Sequence, residues 1–481
     1  MTSLFRRRVA DALVLAATLA LVSSCTLGPK YQRPDTPEPA TFKEAPPPGD
    51  STWFPAAPAD ALDRGPWWEL FGDPVLSSLA AEVEVSNQNV AAAVASYAQA
   101  RALVSQQRAA LFPLVGLDAS ATRNGGKGAI ASGSDFRLGF TASWEPDIWG
   151  ALRLAVTGAQ ASAAQSAANL AAARLSAQAA LATDYFALRE ADNEIALLTA
   201  AVTAYERSRQ ITQNQYDAGI AQRTDVLQAQ TQLETTRANL SAAVGQRARL
   251  EHAIALLVGR APAEFSVAAA PWNATIPAIP LVVPSALLQR RPDIAAAERA
   301  VAAANAQIGI QRAAYFPNIG LTASYAGAGG SLLSLFRTSG NVWSLGLTLA
   351  QTIFDAGAIA AKVEGAEAGR DVAIANYRQT VLTAFVAVED QLATLRSLGE
   401  QDSERRAASA DADRTEQLTL NQFLQGQVPY TTVVTTQVTA LNARQTLSQL
   451  MSSQQAAAIA LIQALGGGWH QPESASVAAT R

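Results

Sequence analysis

The chain has 481 residues, of which 16% are charged and 6% are aromatic, and its formal net charge is −4 at pH 7. So few aromatic residues for this length argue against several large globular cores, and the weakly acidic balance gives no nucleic-acid-binding signature. The single cysteine, Cys25, excludes an intramolecular disulfide framework. An alanine-rich, polar composition instead favours long helices that pack closely together.

The N-terminus predicts a signal peptide over residues 1–24. Arg6, Arg7 and Arg8 precede the apolar run "VADALVLAATLALV", which is too short for an ordinary spanning helix. The small residues "VSS" then end at Cys25, which resembles a bacterial lipobox, where the signal is cut before a cysteine that receives a lipid. We therefore expect a lipid anchor at Cys25; a plain secretory signal with an incidental cysteine is the alternative.

A proline-rich segment follows the anchor. It begins "CTLGPKYQRPDTPEP" and carries further prolines up to Pro66. Proline at this density does not form helices or central strands, so residues 25–65 are expected to be an extended strap.

The rest of the chain contains one unit twice. The stretch "QRAALFPLVGLDAS" at 107–120 returns as "QRAAYFPNIGLTAS" at 311–324, and "LGFTASWEPDIWG" at 138–150 resembles "LGLTLAQTIFDAG" at 345–357. Equivalent residues of the two copies are 204 positions apart in the first matching stretch and 207 apart in the second. This difference places a short insertion in a Gly/Ser-rich loop. We expect repeat 1 over 66–270, repeat 2 over 271–466 and a disordered tail over 467–481. Each repeat reads as helix, strand, loop, strand, very long helix, turn and helix.

Each repeat contains two segments in which apolar and polar or small residues alternate, which predicts strands at about 114–123, 135–145, 318–326 and 342–350. A soluble sheet on a core is one interpretation. A membrane barrel explains the strands better, because few other apolar segments remain to cover them. Open edges are forbidden in lipid and four strands are too few to close a barrel, so this interpretation requires a homo-oligomer. The predicted lipid-facing residues are Val115, Leu117, Phe136, Leu138, Phe140, Ile319, Leu321, Tyr325, Trp343, Leu345 and Leu347.

A Phe-Pro pair marks each change from helix to strand. Pro113 and Pro317 are expected to end the preceding helices, because proline removes a backbone donor. Phe112 and Phe316 are then expected near the inner of the two membrane–water boundaries of the barrel.

The helical segments run with seven-residue steps, as in Leu181, Leu188, Ile195 and Val202, which predicts a left-handed supercoil. No convincing helix breaker follows Gly150 until Gly219, which gives a helix on the order of 100 Å long. Turns are predicted at 216–225 and 423–432.

Together these features resemble the TolC-like outer membrane efflux proteins, and within them the lipoprotein, NodT-type branch. The residues that carry the resemblance are the "CTLGPKYQRP" after the lipobox, "WWELFGDPVLSSLAAEV", the two Phe-Pro switches, "WEPDIWG", "TIFDAG" and the two glycine turns. The resemblance implies a mainly α fold with a small transmembrane β part. Three copies would form a twelve-strand outer membrane barrel continuous with a long periplasmic helical barrel.

The resemblance also implies partners and a location. The homotrimer would sit in the lipid of the outer membrane of a Gram-negative bacterium, anchored by lipid, and extend into the periplasm. It would dock on a periplasmic adaptor and an inner-membrane pump, usually of the resistance-nodulation-division type, as a passive exit duct for drugs or other small toxic compounds. A conduit for type I protein secretion is an alternative with the same fold, and a structural periplasm-spanning lipoprotein is a remote one.

Residues at the predicted turns can be compared with the family one by one. Gly219 and Gly426 resemble the turns where adaptor hairpins dock, and Asp225 falls where the family has an aspartate that ties a closed tip together. Asp225 as a simple helix N-cap with Thr224 is the alternative. Phe423 falls where some members have tyrosine, so it lacks the hydroxyl. Thr432 and Thr435 stand where better-known members have acidic selectivity rings, so cation selectivity is not expected from those positions.

Other chemistry has little support in the sequence. The two histidines, His252 and His470, belong to no metal-ligand motif, and "GGKG" at 125–128 lacks the spacing of a phosphate-binding loop. We expect no enzymatic activity, no cofactor, no metal site and no nucleic-acid partner.

Overall fold

The computed structural model describes residues 27–36, 39, 41–44, 66–125, 133–277, 279, 291–336 and 340–467. Cys25, the predicted signal peptide, most of the predicted strap and nearly all of the predicted tail lie outside the described residues. In chain order the described elements are α1 (Pro74–Ser86), α2 (Gln88–Ala109), β1 (Leu114–Asn124), β2 (Gly133–Trp144), α3 (Ala151–Asp217), α4 (Arg223–Leu257), α5 (Pro292–Ala313), β3 (Asn318–Gly329), β4 (Asn341–Ala350), α6 (Ala358–Leu424) and α7 (Tyr430–Ala464). Short 3₁₀ turns lie at Trp67–Phe71, Pro262–Glu264 and Leu332–Phe336.

The strands form one antiparallel sheet in the order β1-β2-β3-β4. The long helices α3 and α6 each contain 67 residues, and α4 and α7 each contain 35, so the helical parts of the two repeats match in length. None of the helices in the described part of the chain is both long and apolar enough to cross a membrane.

The two β-hairpins repeat each other residue by residue. Leu114 pairs with Ser143 at the open end of the first hairpin, and Asn318 pairs with Ala350 at the open end of the second. These partners differ by the same offsets of 204 and 207 that the sequence echoes show. The duplication therefore extends to the hydrogen-bonding register of the hairpins.

The chain divides into two compact units, of which the first comprises Met1–Asp35, Ala95–Ala167 and Ala296–Gln379 and contains the sheet. In this unit an N-terminal segment over residues 27–35 lies against helices. The Tyr31 hydroxyl donates to Glu298 of α5 at 2.9 Å, and Arg33 donates to the hydroxyl of the fully buried Tyr377 of α6 at 3.0 Å. Gly28 packs so closely on Gly309 that a Cβ on Gly309 would lie 2.7 Å from the Gly28 Cα.

The second unit comprises Thr36–Val94, Ala168–Ala295 and Thr380–Arg481, and it holds the largest hydrophobic core among the described residues. Trp67, Trp68 and Phe71 are buried in this core together with apolar residues of α1, α3, α6 and α7. Asp73 connects α1 to α3 within this core. Its carboxylate caps α1 by accepting hydrogen bonds from the Val75 and Leu76 N–H groups, and it also accepts a hydrogen bond from the Tyr185 hydroxyl of α3 at 2.6 Å.

The segment that links the repeats is held to α3 and α4 by a buried ionic cluster. Asp192 accepts from Arg189 at 3.0 Å and from Arg247 at 2.6 Å. The same two guanidinium groups donate to the backbone carbonyls of Ala268 and Val267. These bonds satisfy backbone groups that an extended segment cannot pair by itself.

Candidate channel surfaces and helix turns

One face of the sheet carries all the residues that the sequence predicts to face lipid. Directly paired residues of antiparallel strands share a face, and the register pairs Leu117 with Phe140, Phe140 with Tyr325, and Tyr325 with Trp343. On this face Val115, Leu117, Phe140, Tyr325, Trp343, Leu345 and Leu347 are exposed, and Phe136, Leu138, Ile319 and Leu321 are half-buried. A soluble protein rarely exposes so continuous an apolar surface, so this face requires a partner or an apolar medium.

The opposite face of the sheet is polar and bonds across the strands. The Thr141 hydroxyl donates to Asp118 at 2.7 Å, and the Ser324 and Ser344 hydroxyls lie 2.8 Å apart. Thr348 donates to the Gly320 carbonyl at 3.2 Å. The sheet is thus two-sided in the way that alternation in the sequence predicts.

A tryptophan in or just after β2 bonds to the backbone of each helix-to-strand switch. The Trp144 indole donates to the Leu111 carbonyl at 3.0 Å, beside the exposed Phe112 and Pro113. In the second switch the Trp149 indole donates to the Pro317 carbonyl at 2.7 Å, and its ring stacks on Phe316 at 4.8 Å. Aromatic rings with one polar handle suit a boundary between apolar and aqueous surroundings.

The turn between α3 and α4, here the repeat-1 turn, and the turn between α6 and α7, here the repeat-2 turn, have the same geometry. Gly219 and Gly426 both have φ of +74°. The N–H groups of Ile220 and Gln427 bond to the carbonyls five residues earlier, at 2.8 and 2.9 Å, and each glycine N–H bonds three residues back. This is the Schellman ending of a helix, which needs a left-handed residue and so explains both glycines.

Asp225 is the third residue of α4. Its carboxylate accepts the backbone N–H of Gln222, the N-cap residue, at 3.2 Å. The helix therefore begins before Thr224, and Asp225 is not itself the N-cap. A carboxylate at this position also interacts favourably with the positive end of the helix dipole.

Phe423 lies inside the protomer. It is 7% exposed and its ring packs on Tyr430 at 5.4 Å, in a small cluster with Ala229 of α4 and Val433 of α7. Burial raises the pKa of Tyr430 to about 12, with a smaller contribution from the nearby Tyr205 and Asp225. Phe423 therefore joins the repeat-2 turn to α4 through apolar packing.

The equivalent positions of repeat 1 carry a different pair. Adding 207 converts Tyr216 to Phe423 and Arg223 to Tyr430. Tyr216 is 39% exposed, and the Arg223 guanidinium lies over its ring at 5.7 Å. The sequence interpretation missed Tyr430 and Arg223, although the repeat offset alone could have drawn attention to them.

Thr432 and Thr435 are exposed on the first turns of α7. The Thr435 hydroxyl donates to the Thr431 carbonyl at 2.9 Å, and Thr436 and Thr439 bond in the same way to the residues four before them. The helix thus presents methyl groups and bonded hydroxyls without charge on this face. Among the described residues no three histidine, cysteine or acidic side chains are grouped as metal ligands.

The combination of a two-sided sheet with very long duplicated helices defines a class, the TolC-like outer membrane channels. The family "Outer membrane efflux protein" matches residues 79–260 and 283–467, so the chain belongs to that family. It is an outer membrane efflux channel that extends into the periplasm. The predicted fold class, mainly helical with a small β part, is confirmed.

Similar proteins support this assignment along nearly the whole chain. The cation efflux system protein CusC of Escherichia coli O6:H1 is 30% identical over 467 residues, covering 95% of this chain and 99% of CusC. A probable efflux pump outer membrane protein of Pseudomonas putida, TtgC, is 30% identical over 472 residues, covering 95% and 96%. The solved outer-membrane channel OprN superposes with a TM-score of 0.85 at 28% identity, covering 93% of this chain and 100% of OprN.

Proposed function

We propose that three copies of the chain form the exit duct of a tripartite efflux pump, which expels small toxic compounds. An inner-membrane pump of the resistance-nodulation-division type supplies the energy, and a periplasmic adaptor connects it to the duct. Similar proteins named for cation efflux and for a probable efflux pump support small cargo over secreted proteins. The proposal includes a lipid anchor at Cys25.

The observation that carries the assembly is the sheet with one apolar face and two unpaired edges. In the described residues β1 and β4 each have a single neighbouring strand. Four strands do not close around a lumen, whereas three copies would supply twelve. Closure would place the apolar face against lipid and the polar face toward the lumen.

Reconstitution tests this function. Purified protein should run as a heat-modifiable trimer and give discrete conductance steps in planar bilayers. Deletion of its gene should make cells more sensitive to the compounds expelled by the pump encoded beside it. Folded trimers without conductance would contradict the duct, and an adjacent ABC exporter with a protein substrate would contradict the cargo.

We propose further that both turns dock the adaptor. Apart from the adjacent residues, no heavy atom of the described part of the chain lies within 4 Å of a Cβ built on Gly219 or Gly426, so the described structure leaves this surface open. Gly219→Trp and Gly426→Trp should abolish efflux while trimers still form. Gly357→Trp, between β4 and α6, is the matched control, because Gly357 also has a left-handed backbone, with φ of +90°, and equally open surroundings. Efflux by both turn variants would rule out docking at the turns.

For the gate we propose Asp225 together with Thr432, Thr435 and the packing of Phe423. Asp225→Ala should loosen a closed entrance and raise conductance and antibiotic uptake. Asp225→Asn separates two roles, because asparagine can still accept the Gln222 N–H but carries no charge. If the aspartate acts only as a capping residue, the Asn variant should behave as the parent; if its charge ties the gate, both variants should leak.

A further inference from the structure

The loop between β3 and β4 is apolar, unlike its counterpart in repeat 1. Residues 330–340 read "GSLLSLFRTSG", whereas residues 125–132, between β1 and β2, read "GGKGAIAS" and include one large apolar residue, Ile130. The repeat-2 loop contains the 3₁₀ turn Leu332–Phe336, here the apolar turn. In it Leu332 is 64% exposed and Leu333 is 81% exposed, so the loop presents two adjacent leucines that no other described residue covers.

The apolar turn folds back onto the face of the sheet that carries the predicted lipid-facing residues. A Cβ built on Gly327 would collide with the Leu335 carbonyl oxygen, and one built on Gly329 would collide with the Ser334 hydroxyl. Residues two apart on a strand share a face, so both glycines lie on the face of Tyr325. Their missing side chains leave the space that the turn occupies.

The turn covers the end of the apolar face that is farthest from the helices. It contacts β2 as well as β3. Phe136 and Leu138 pair directly with Gly329 and Gly327 and are half-buried, whereas Phe140, two residues nearer the helices, is exposed. At this end of the sheet the exposed leucines of the turn therefore continue the apolar surface of the strands, and contiguous surfaces of this kind mark an interaction site.

Strand length gives the level of the turn in a membrane. A membrane-spanning strand needs about 9–11 residues, and β4 has 10, from Asn341 to Ala350. Asn341 pairs with Gly327, on which the turn rests, so the turn lies at the extracellular end of this span. Here the Asn341 amide donates to the Tyr325 hydroxyl at 2.8 Å, and Tyr325 pairs with Trp343. Such aromatic residues with a polar group are typical of the membrane–water boundary.

We propose that the apolar turn inserts Leu332 and Leu333 among the acyl chains of the outer leaflet, just below the headgroups, and so anchors the repeat-2 hairpin in lipid. The inference rests on the proposed barrel, because it takes the apolar face of the sheet as the lipid side, and it adds an extracellular loop to the lipid contact. Apolar side chains of interfacial segments reach about 5–10 Å into this boundary. A lid over the channel mouth would instead need the turn on the polar face, where Thr348 bonds across the strands.

Fluorescence quenching tests the insertion. Leu333→Cys would carry an environment-sensitive dye in trimers reconstituted into vesicles of phosphatidylethanolamine and phosphatidylglycerol, with Leu332→Cys as a second site. The two quenchers are phospholipid with a nitroxide near its headgroup and iodide in the water. The ratio of lipid quenching to iodide quenching should be at least about fivefold higher for Leu333→Cys than for Thr322→Cys, the matched control on the polar face. The parent protein, labelled in the same way, gives the background from Cys25.

Gly327→Ala tests how the turn is seated. The added methyl group would have to displace the Leu335 backbone, so the turn should move off the face. In this background the lipid quenching of the dye at Leu333→Cys should fall by about twofold in folded trimers. Gly330→Ala is the matched control, because a Cβ there meets only the Ser134 carbonyl oxygen at 3.6 Å, an ordinary contact. Unchanged quenching in both backgrounds would contradict the seating on the apolar face.

A further site separates this inference from the proposed function. Leu347→Cys, on the same face near the middle of β4, should be quenched by lipid if the sheet spans the membrane as proposed. Lipid quenching at Leu347→Cys together with iodide quenching at Leu333→Cys would overturn the inserted turn and leave the barrel standing. A dye at Leu333→Cys that neither quencher reaches would also overturn it. Absence of lipid quenching at Leu347→Cys would instead contradict the proposed barrel.

Discussion

At the scale of single residues, the ionic cluster around Asp192 shows how irregular backbone is fixed to regular helices. The side chains of Arg189 and Asp192 are 4% and 6% exposed, and Arg247 approaches the same carboxylate. We expect Asp192→Ala to destabilise the protein by about 3–5 kcal/mol, because the buried guanidinium of Arg189 would lose its counter-charge, whereas Arg247 would keep Glu251 at 3.5 Å. Thermal unfolding and proteolysis of the linking segment near Ala268 should both report the loss.

A surface cluster provides the control for this prediction. Arg237 bridges Glu206 and Glu234, and all three side chains are about half exposed. Glu206→Ala should leave the unfolding temperature unchanged, since exposed ion pairs are well solvated. Equal effects of Asp192→Ala and Glu206→Ala would contradict the importance of burial.

Glu190 of α3 predicts a pH dependence. Burial raises its pKa above the ordinary value of 4.5; its bond from Ser448 opposes the shift and the neighbouring Glu194 adds to it. The folded protein therefore holds the Glu190 proton more tightly than the unfolded chain does. The contribution of this group to the free energy of unfolding is fully present below pH 4.5 and is lost as the pH rises through the raised pKa. Glu190→Gln should match the parent in acid and become more stable than the parent toward neutral pH.

Unfolding temperatures of parent and variant from pH 4 to pH 8 would measure this difference. Glu206→Gln, on the exposed surface, should show no such divergence. A constant difference between Glu190→Gln and the parent across this range would mean that the carboxyl does not titrate as described.

At the scale of elements, substitutions on the two faces of the sheet test which face contacts lipid. Leu321 and Leu347 pair directly on the apolar face. Arginine at both positions should prevent assembly into the outer membrane, at a cost of about 2–4 kcal/mol each near the membrane midplane. Thr322→Arg, one residue away on the polar face, should assemble. Trimer yield in outer membrane fractions distinguishes the two faces. Normal assembly of the double variant would favour the alternative of a structural periplasm-spanning lipoprotein.

The same elements show what sequence reasoning can and cannot predict. Strand faces follow from alternation alone, and the end of α3 beside Gly219 follows from one glycine, because both signals are local. The partners of Phe423 and Asp192 were not predicted, because they come from segments far apart in sequence. The N-cap of α4 is Gln222, whereas the sequence suggested Asp225 with Thr224 as the cap. The sequence could not indicate Gln222, because glutamine is an uncommon N-cap residue.

At the scale of the whole molecule, the duplication is close at the hairpins and looser at the helix turns. Glycines at positive φ recur 207 residues apart, at 150 and 357, at 219 and 426, and at 259 and 466. Beside the conserved turn geometry, however, repeat 1 exposes Tyr216 whereas repeat 2 buries its equivalent, Phe423. The two turns therefore share the glycine φ and the closing hydrogen bonds, but the repeat-1 turn is held mainly by its own bonds and the repeat-2 turn also by packing against α4.

This difference predicts unequal responses to the same truncation. Phe423→Ala should destabilise the repeat-2 turn by about 3 kcal/mol, because it leaves a cavity beside Tyr430 and Ala229. Tyr216→Ala should change the repeat-1 turn by less than about 1 kcal/mol, because its ring is partly solvated and its contact with Arg223 is exposed. Hydrogen exchange at the amides of Gln427 and Ile220, which close the two turns, measures each effect locally. A loss of about 3 kcal/mol speeds exchange by roughly a hundredfold, so equal protection at both amides in the two variants would mean that the aromatic pair does not hold the repeat-2 turn.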